Sequence, residues 1–248
     1  MAQKLERRRL SSGTPGLDEM LGGGFVEGTA TLVSGAPGLG KTTLGLQYLC
    51  AGAAQGEAGL MVTFEEFPAS LIRDAKQLGW DLQQLQNDGL LRLLFTSPQV
   101  FLSSLQAPDS PLAETIRTMA PRRAVLDSAA HFQRLTSEPT QLRETFNALV
   151  NGLKRERMTT LILDEAASLI NPRKSKLSGL PFLVDSVLLL RYVEVDSTMQ
   201  RAIAVLKMRG SQHQKEIRRF EIGPGGLHIG EPFTDFQGIL SGSSQRIR

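Results

Sequence analysis

The chain has 248 residues, 41% hydrophobic and 21% charged, which fits one large soluble domain burying roughly 70–75% of its extended surface. A formal net charge of +3 is too small to argue for a nucleic-acid partner. The single cysteine, Cys50, excludes an internal disulfide and points to a reducing, cytoplasmic compartment.

In chain order, the basic start "MAQKLERRRLSSG" lacks the apolar core of a signal peptide, and nowhere is there an apolar stretch long enough to span a bilayer. "TATLVS" predicts a buried strand, and Lys41 to Ala54 a helix. "GLMVTF" predicts the next strand, followed by a helix from Pro68 to Leu78 with proline in its first turn. "LRLLFT" predicts a strand, then a Pro- and Ser-rich loop and a helix around Leu112 to Met119. "RRAVLDS" is a further strand. Leu142, Phe146, Leu149, Val150 and Leu153 recur at helical spacing, and "TTLILDE" closes the alternation. Short apolar strands between helices predict a mostly parallel twisted sheet with helices on both faces. After Pro181, "VDSVLLLRYVEV", "RAIAVLKM" and "EIRRFEI" follow with short polar breaks, which predicts antiparallel C-terminal strands. With neither a repeat nor a linker, residues 1–248 are expected to form one domain, with 1–11 and 241–248 as flexible termini.

"GAPGLGKTT" fits G-x-x-x-x-G-K-[ST] from Gly35 to Thr42, between a strand and a helix. The chemistry needs these residue types: glycines let backbone N–H groups turn inward onto phosphate oxygens, Lys41 neutralises phosphate charge, and the Thr42 hydroxyl holds Mg²⁺. Pro37, Gly38, Leu39, Gly40, Lys41, Thr42 and Thr43 are therefore the nucleotide-binding candidates. Glu65 and Glu66 end the next strand, where an open α/β sheet faces its ligand crevice, and serve as candidates for polarising an attacking water. A solvated acidic helix start is the plainer reading of this pair. For the metal carboxylate there are two candidates, Asp127 in "AVLDS" and Asp164, with Glu165, in "LILDE". The Glu65–Glu66 pair makes the second acid pair redundant and favours Asp127. His131, His213 and His228 show no zinc spacing, and Trp80 reads as packing.

Taken together, the blocks "SSGTPGLDEMLGGGFVEGTATLVSGAPGLGKTT", "FEEFPASLIRDAKQLGWDL", "KMRGSQH" and "FQGILSGSSQRI" resemble the KaiC family, a branch of the RecA-like ATPases. The last third is most similar to the second ATPase half of the family's clock members. The resemblance implies a RecA-like P-loop core and an ATP-hydrolysing ring, a homohexamer, with nucleotide between subunits. It gives Lys41 and Thr42 to phosphate and Mg²⁺, Glu65 and Glu66 to catalysis, and Asp127 to the metal. Lys207, Met208, Arg209, Ser211 and His213 match the segment that reaches a neighbour's nucleotide. On a strand, Lys207 and Arg209 share one side with Met208 opposite, so the two cations can meet one compact anion. The strand order inferred from the sequence puts this hairpin at the far edge of the sheet, away from its own phosphate loop.

Departures from the family pattern limit what carries over. Clock members have two such domains, against one here. Pro181 and Phe182 stand where the phosphorylated half has its acceptor hydroxyls, so autokinase activity is not expected. Gly223–Pro224 replaces a Thr-Asp near the adenine, and Asp164–Glu165 replaces a Thr-rich stretch. The leading expectation is a regulatory or signalling ATPase acting with an unidentified partner protein and no membrane. A DNA-associated motor is the first alternative, resting on Arg173, Lys174 and Lys176 in "NPRKSKLSG". Three charges make only a modest phosphate footprint, so a solvated loop is favoured there. A non-hydrolysing, nucleotide-held scaffold is the second alternative.

Overall fold

The computed structural model describes residues 7–165, 180–234, 236–241 and 245–246. Ahead of the main sheet come β1 (Arg9–Leu10), α1 (Pro15–Met20) and β2 (Phe25–Val26), with β1 paired to β2. The alternating core follows: β3 (Ala30–Ser34), α2 (Lys41–Ala53), β4 (Gly59–Thr63), α3 (Pro68–Gln77), α4 (Leu82–Asn87), β5 (Leu91–Phe95), α5 (Pro98–Gln106), α6 (Pro111–Met119), β6 (Arg123–Asp127), a 3-10 turn (Ala129–Arg134), α7 (Pro139–Arg155) and β7 (Thr159–Asp164). Then come α8 (Leu180–Leu183), β8 (Ser186–Val195), β9 (Thr198–Met208), β10 (Arg218–Gly223), β11 (Gly226–Pro232), β12 (Phe236–Gln237) and β13 (Gln245–Arg246).

Among the described residues, nine strands form one sheet in the order β11-β10-β9-β8-β3-β7-β6-β4-β5. From β8 to β5 neighbours are parallel, whereas β9, β10 and β11 add antiparallel. The central strands are buried throughout, because helices cover both faces. Successive side chains still alternate. Val33, Met61, Val125 and Leu163 pack with Leu17, Leu44, Leu71 and Leu82 of α1–α4. Leu32, Val62, Leu126 and Ile162 pack with Phe101, Ile116, Phe146 and Leu180 of α5–α8.

This architecture is the expected α/β sheet with antiparallel C-terminal strands, but three local readings need correction. First, the Pro- and Ser-rich stretch is not all loop. Ser97 and Ser110 cap α5 and α6 by accepting from Val100 and Ala113 N–H, and Pro98 and Pro111 occupy first-turn positions. Second, the strand carrying Lys207 is not at the sheet edge, because β10 and β11 lie outside it. Third, the expected flexible ends contain order. Leu10 is buried in the core, and Gln245–Arg246 pair with Phe236–Gln237. The basic stretch Arg173, Lys174 and Lys176 lies outside the described residues. No helix among the described residues is long and apolar enough to cross a membrane.

At the edge where the parallel strands start, a buried ion cluster ties the layers together. Arg123, with no solvent exposure, donates from Nε to Glu57 Oε2 at 2.8 Å and from Nη1 to the Ser11 and Tyr48 carbonyls at 2.7 and 2.9 Å. Arg122 donates to the other Glu57 oxygen at 2.8 Å. A Cβ on Gly52 would overlap the Arg123 side chain, so α2 needs glycine there. Removing one partner of a buried pair strands the other charge. Glu57→Ala should therefore lower unfolding stability by about 3–5 kcal/mol in urea titration. A loss below about 1 kcal/mol would mean that the two carbonyls suffice for Arg123.

Candidate functional site

Strand β3 ends at Ser34, beside Asp164 of β7 on one side and Leu189 of β8 on the other. The loop to α2 starts from that fully paired strand. A Cβ on Gly35 would sit 2.7 Å from the Leu190 carbonyl oxygen, too close for any side chain. Gly38 and Gly40 have φ of +77° and +83°, in the left-handed region that glycine enters without strain. Gly40 caps α2 without a side-chain hydrogen bond. The first-turn N–H groups of this 13-residue helix therefore point at the loop with its positive end. The Tyr192 hydroxyl donates to the Gly38 carbonyl at 3.0 Å, and Arg201, opposite Tyr192 in register, lies 5.7 Å over its ring.

Lys41 is 6% exposed and donates from Nζ to the Ala36 carbonyl at 3.0 Å. Burial pushes its ammonium below the usual lysine range, while the fields of Glu165, Asp127 and Asp164 pull it back. The Thr42 hydroxyl donates to Asp127 Oδ2 at 2.6 Å. Burial raises the Asp127 carboxyl, and the Thr42 bond and Lys41 oppose that shift. Asp164, 1% exposed, accepts from Ser34 Oγ at 3.3 Å, and its carbonyl accepts from Gly35 N–H at 3.2 Å.

Glu65 and Glu66 follow β4 on the same edge. Both line a cavity of about 200 Å³ together with Thr42, Asp127, His131 and Glu165. Thr63 fixes the turn: its hydroxyl donates to the Glu66 carbonyl at 3.0 Å and accepts from Glu66 N–H at 3.1 Å. Burial raises the Glu66 carboxyl, helped by Asp127, Asp74 and Glu65. Next in sequence, Phe67 is exposed and stacks on Phe95 with ring centroids 4.5 Å apart. The structure thus brings Lys41, Thr42, Glu65, Glu66 and Asp127 together, with Asp164 under the loop. Pro37, Gly38, Leu39 and Thr43 complete the loop and helix start, with the Leu39 side chain buried in the core.

The Gly223–Pro224 turn also lies at this edge. Ile222 and Leu227 on its flanks pack against Gly40, and Gly225 N–H donates to the Leu78 carbonyl at 3.0 Å. Trp80 is half-buried against the core and against Gly226, a packing role.

The Lys207–His213 segment is elsewhere. Met208 pairs with Ser186, the first residue of β8, so the segment lies where the parallel strands start. Lys207 Nζ donates to the Pro181 and Val184 carbonyls at 2.9 and 2.7 Å, and Arg209 donates to the Phe182 carbonyl. Both cations therefore lean toward α8. Met208 is buried on the opposite face, within the cluster formed by α1–α4. Burial lowers the Lys207 ammonium, and neighbouring Arg209 lowers it further. Ser211 accepts from Arg9, and His213 is half-buried.

Sequence reasoning missed Tyr192, Arg201 and His131. The first two carry a signal in principle, since hairpin register pairs them across β8 and β9. His131 carries none, because four residues after a strand-end aspartate is an ordinary place for a surface histidine.

A group whose folded pKa is raised contributes stability that is present below its unfolded pKa and lost as pH rises through the folded value. For Glu66 that means a cost at neutral pH, which Glu66→Gln removes. The thermal midpoint of the nucleotide-free chain should rise by about 1–3 °C at pH 7 and show no gain below the ordinary glutamate range. An unchanged midpoint at pH 7 would contradict the crowding of acids at this site.

A family model described as "ATPase: KaiC" matches residues 10–233. The chain is 35% identical over 243 residues to the circadian clock protein KaiC3 of Synechocystis sp. and 35% identical over 247 residues to the circadian clock oscillator protein KaiC of Thermostichus vulcanus. These matches take in 98% and 100% of this chain but 48% and 47% of those proteins, so the chain spans about half the length of the relatives it matches. Among solved structures, the KaiC-like protein PH0186 of Pyrococcus horikoshii OT3 superposes with a TM-score of 0.80 at 30% identity, over 91% of this chain and 100% of that one.

Proposed function

The chain belongs to the KaiC family of ATPases, and from that premise we propose that it binds ATP with Mg²⁺ and hydrolyses it at the junction between copies of itself arranged in a ring. In this reading the α2 N-terminus, the loop glycines and Lys41 hold the β- and γ-phosphates. Thr42 and Asp127 would hold the metal. Their hydroxyl and carboxylate oxygens converge at 2.6 Å, a hard-oxygen pair suited to Mg²⁺, and the buried carboxylate calls for a compensating cation. When bound, the metal neutralises phosphate charge. Glu65 and Glu66 orient the attacking water and take up its proton. An acid pair lining the same cavity as Thr42 favours hydrolysis over a nucleotide-held scaffold. Pro181 and Phe182 supply no hydroxyl in α8, which supports an ATPase without an autokinase cycle.

The observation that carries the ring is the separation of the phosphate loop from the Lys207–His213 segment. The loop opens at the edge where the parallel strands end and feeds α2 on one face. Lys207 and Arg209 lie at the edge where they start and lean toward α8 on the other face. One chain cannot close both on a single nucleotide, whereas a neighbour in a head-to-tail ring can. Lys207, Arg209 and His213 then act in trans, with Met208 and Ser211 shaping the segment. Cations of this kind contribute ~10³–10⁵ in rate. A regulatory role through a partner protein is the accompanying proposal.

Lys41→Ala should abolish ATP binding in equilibrium dialysis, and retained affinity would overturn the loop assignment. Arg209→Ala and Glu65→Gln/Glu66→Gln proteins should each be inactive alone. Mixed, they should recover part of the wild-type phosphate release, because some interfaces pair a sound acid site with a sound finger. Mixed assemblies that form yet recover nothing would overturn action in trans.

A further inference from the structure

Glu65 and Glu66 are neighbours in sequence with different surroundings. Glu66 is fixed through its backbone by Thr63. The Glu65 side chain is 71% exposed, and a glutamate so exposed keeps several free torsions. Its Oε2 nevertheless lies 3.0 Å from His131 Nε2. That imidazole is well placed to hold it. It is only 11% exposed, its ring centroid lies 6.2 Å from that of Phe64, and it sits in the 3-10 turn that leaves β6 directly after Asp127. His131 N–H donates to the Ser128 carbonyl at 3.3 Å, which ties the turn to the strand end. One strand exit thus carries both the metal carboxylate and a partner for the adjacent strand's glutamate.

Resting on the hydrolytic reading above, we infer that His131 is a positioning residue for the reaction: its Nε2–H holds one oxygen of the Glu65 carboxylate at the cavity wall. The other oxygen is left to receive a proton from the attacking water. No bond is made or broken at the imidazole. What it supplies is orientation of a long, exposed side chain, and misplacing a reacting group by about 1 Å costs on the order of 100-fold in rate.

The test uses the full chain with Mg²⁺ and ATP. His131→Ala should lower kcat about 10- to 100-fold with KM for ATP unchanged. His131→Gln, which keeps an N–H at similar reach, should restore part of that loss and guards against a folding defect. In a Glu65→Gln background, residual turnover should not fall further on His131→Ala. Equal losses in both backgrounds, or no loss of kcat at all, would overturn the inference. A second readout needs no turnover: the ¹⁵N resonance of His131 Nε2 should move in Glu65→Gln and stay in place in Glu66→Gln. A wild-type chain without turnover overturns the hydrolytic reading. In that event a moved resonance still upholds the His131–Glu65 pairing, and an unmoved one overturns the pairing as well.

Discussion

Lys41 is buried at the first turn of α2, where burial alone favours its neutral form and three surrounding carboxylates hold the charge in place. An ammonium in that position requires an exact surround. Strand β3 must be paired on both sides so that the loop leaves from a rigid edge. Gly35 must lack a side chain so that the Leu190 carbonyl can approach, and two glycines must turn left-handed so that α2 starts uncapped. Asp127 and Asp164 must end neighbouring strands in register with Thr63 and Ser34. The parallel half of the sheet can be understood as the frame that meets these demands together. The buried Arg123–Glu57 cluster anchors α2 at its other end.

The antiparallel half serves a different requirement. β8 pins the loop through Tyr192 and, at its opposite end, pairs with the strand that carries Lys207. A single hairpin therefore touches the chain's own phosphate loop at one end and presents cations at the other. In the ring proposed above, this 10-residue strand would link the state of one nucleotide site to the next. The tie from Lys207 and Arg209 to the carbonyls of Pro181, Phe182 and Val184 fixes their direction within the chain.

Much of this was legible in the sequence because the demands are local. A glycine-rich loop between an apolar strand and a helix, and acids ending apolar strands, declare themselves by spacing. The parallel core followed from apolar runs separated by helical periodicity. The misreadings came where one residue type serves two ends. Ser97–Pro98 looks like loop punctuation and acts as a helix start. The hairpin that carries Lys207 looked like the sheet edge because β11, beyond β10, begins in a glycine turn and ends in Pro232, which hides a strand. Asp164 could be seen as a strand-end acid, but its burial beneath the loop depends on which strands are neighbours, and sequence order does not state that. The His131–Glu65 contact joins two loops 66 residues apart and leaves no periodic trace.

The central claim is that nucleotide is completed by a second copy of the chain. Light scattering of the purified protein, nucleotide-free and then with Mg²⁺ and ATP, tests it most directly. The account predicts a rise from the mass of one chain to that of a closed ring of several. A mass that stays at one chain while ATP remains bound would contradict it.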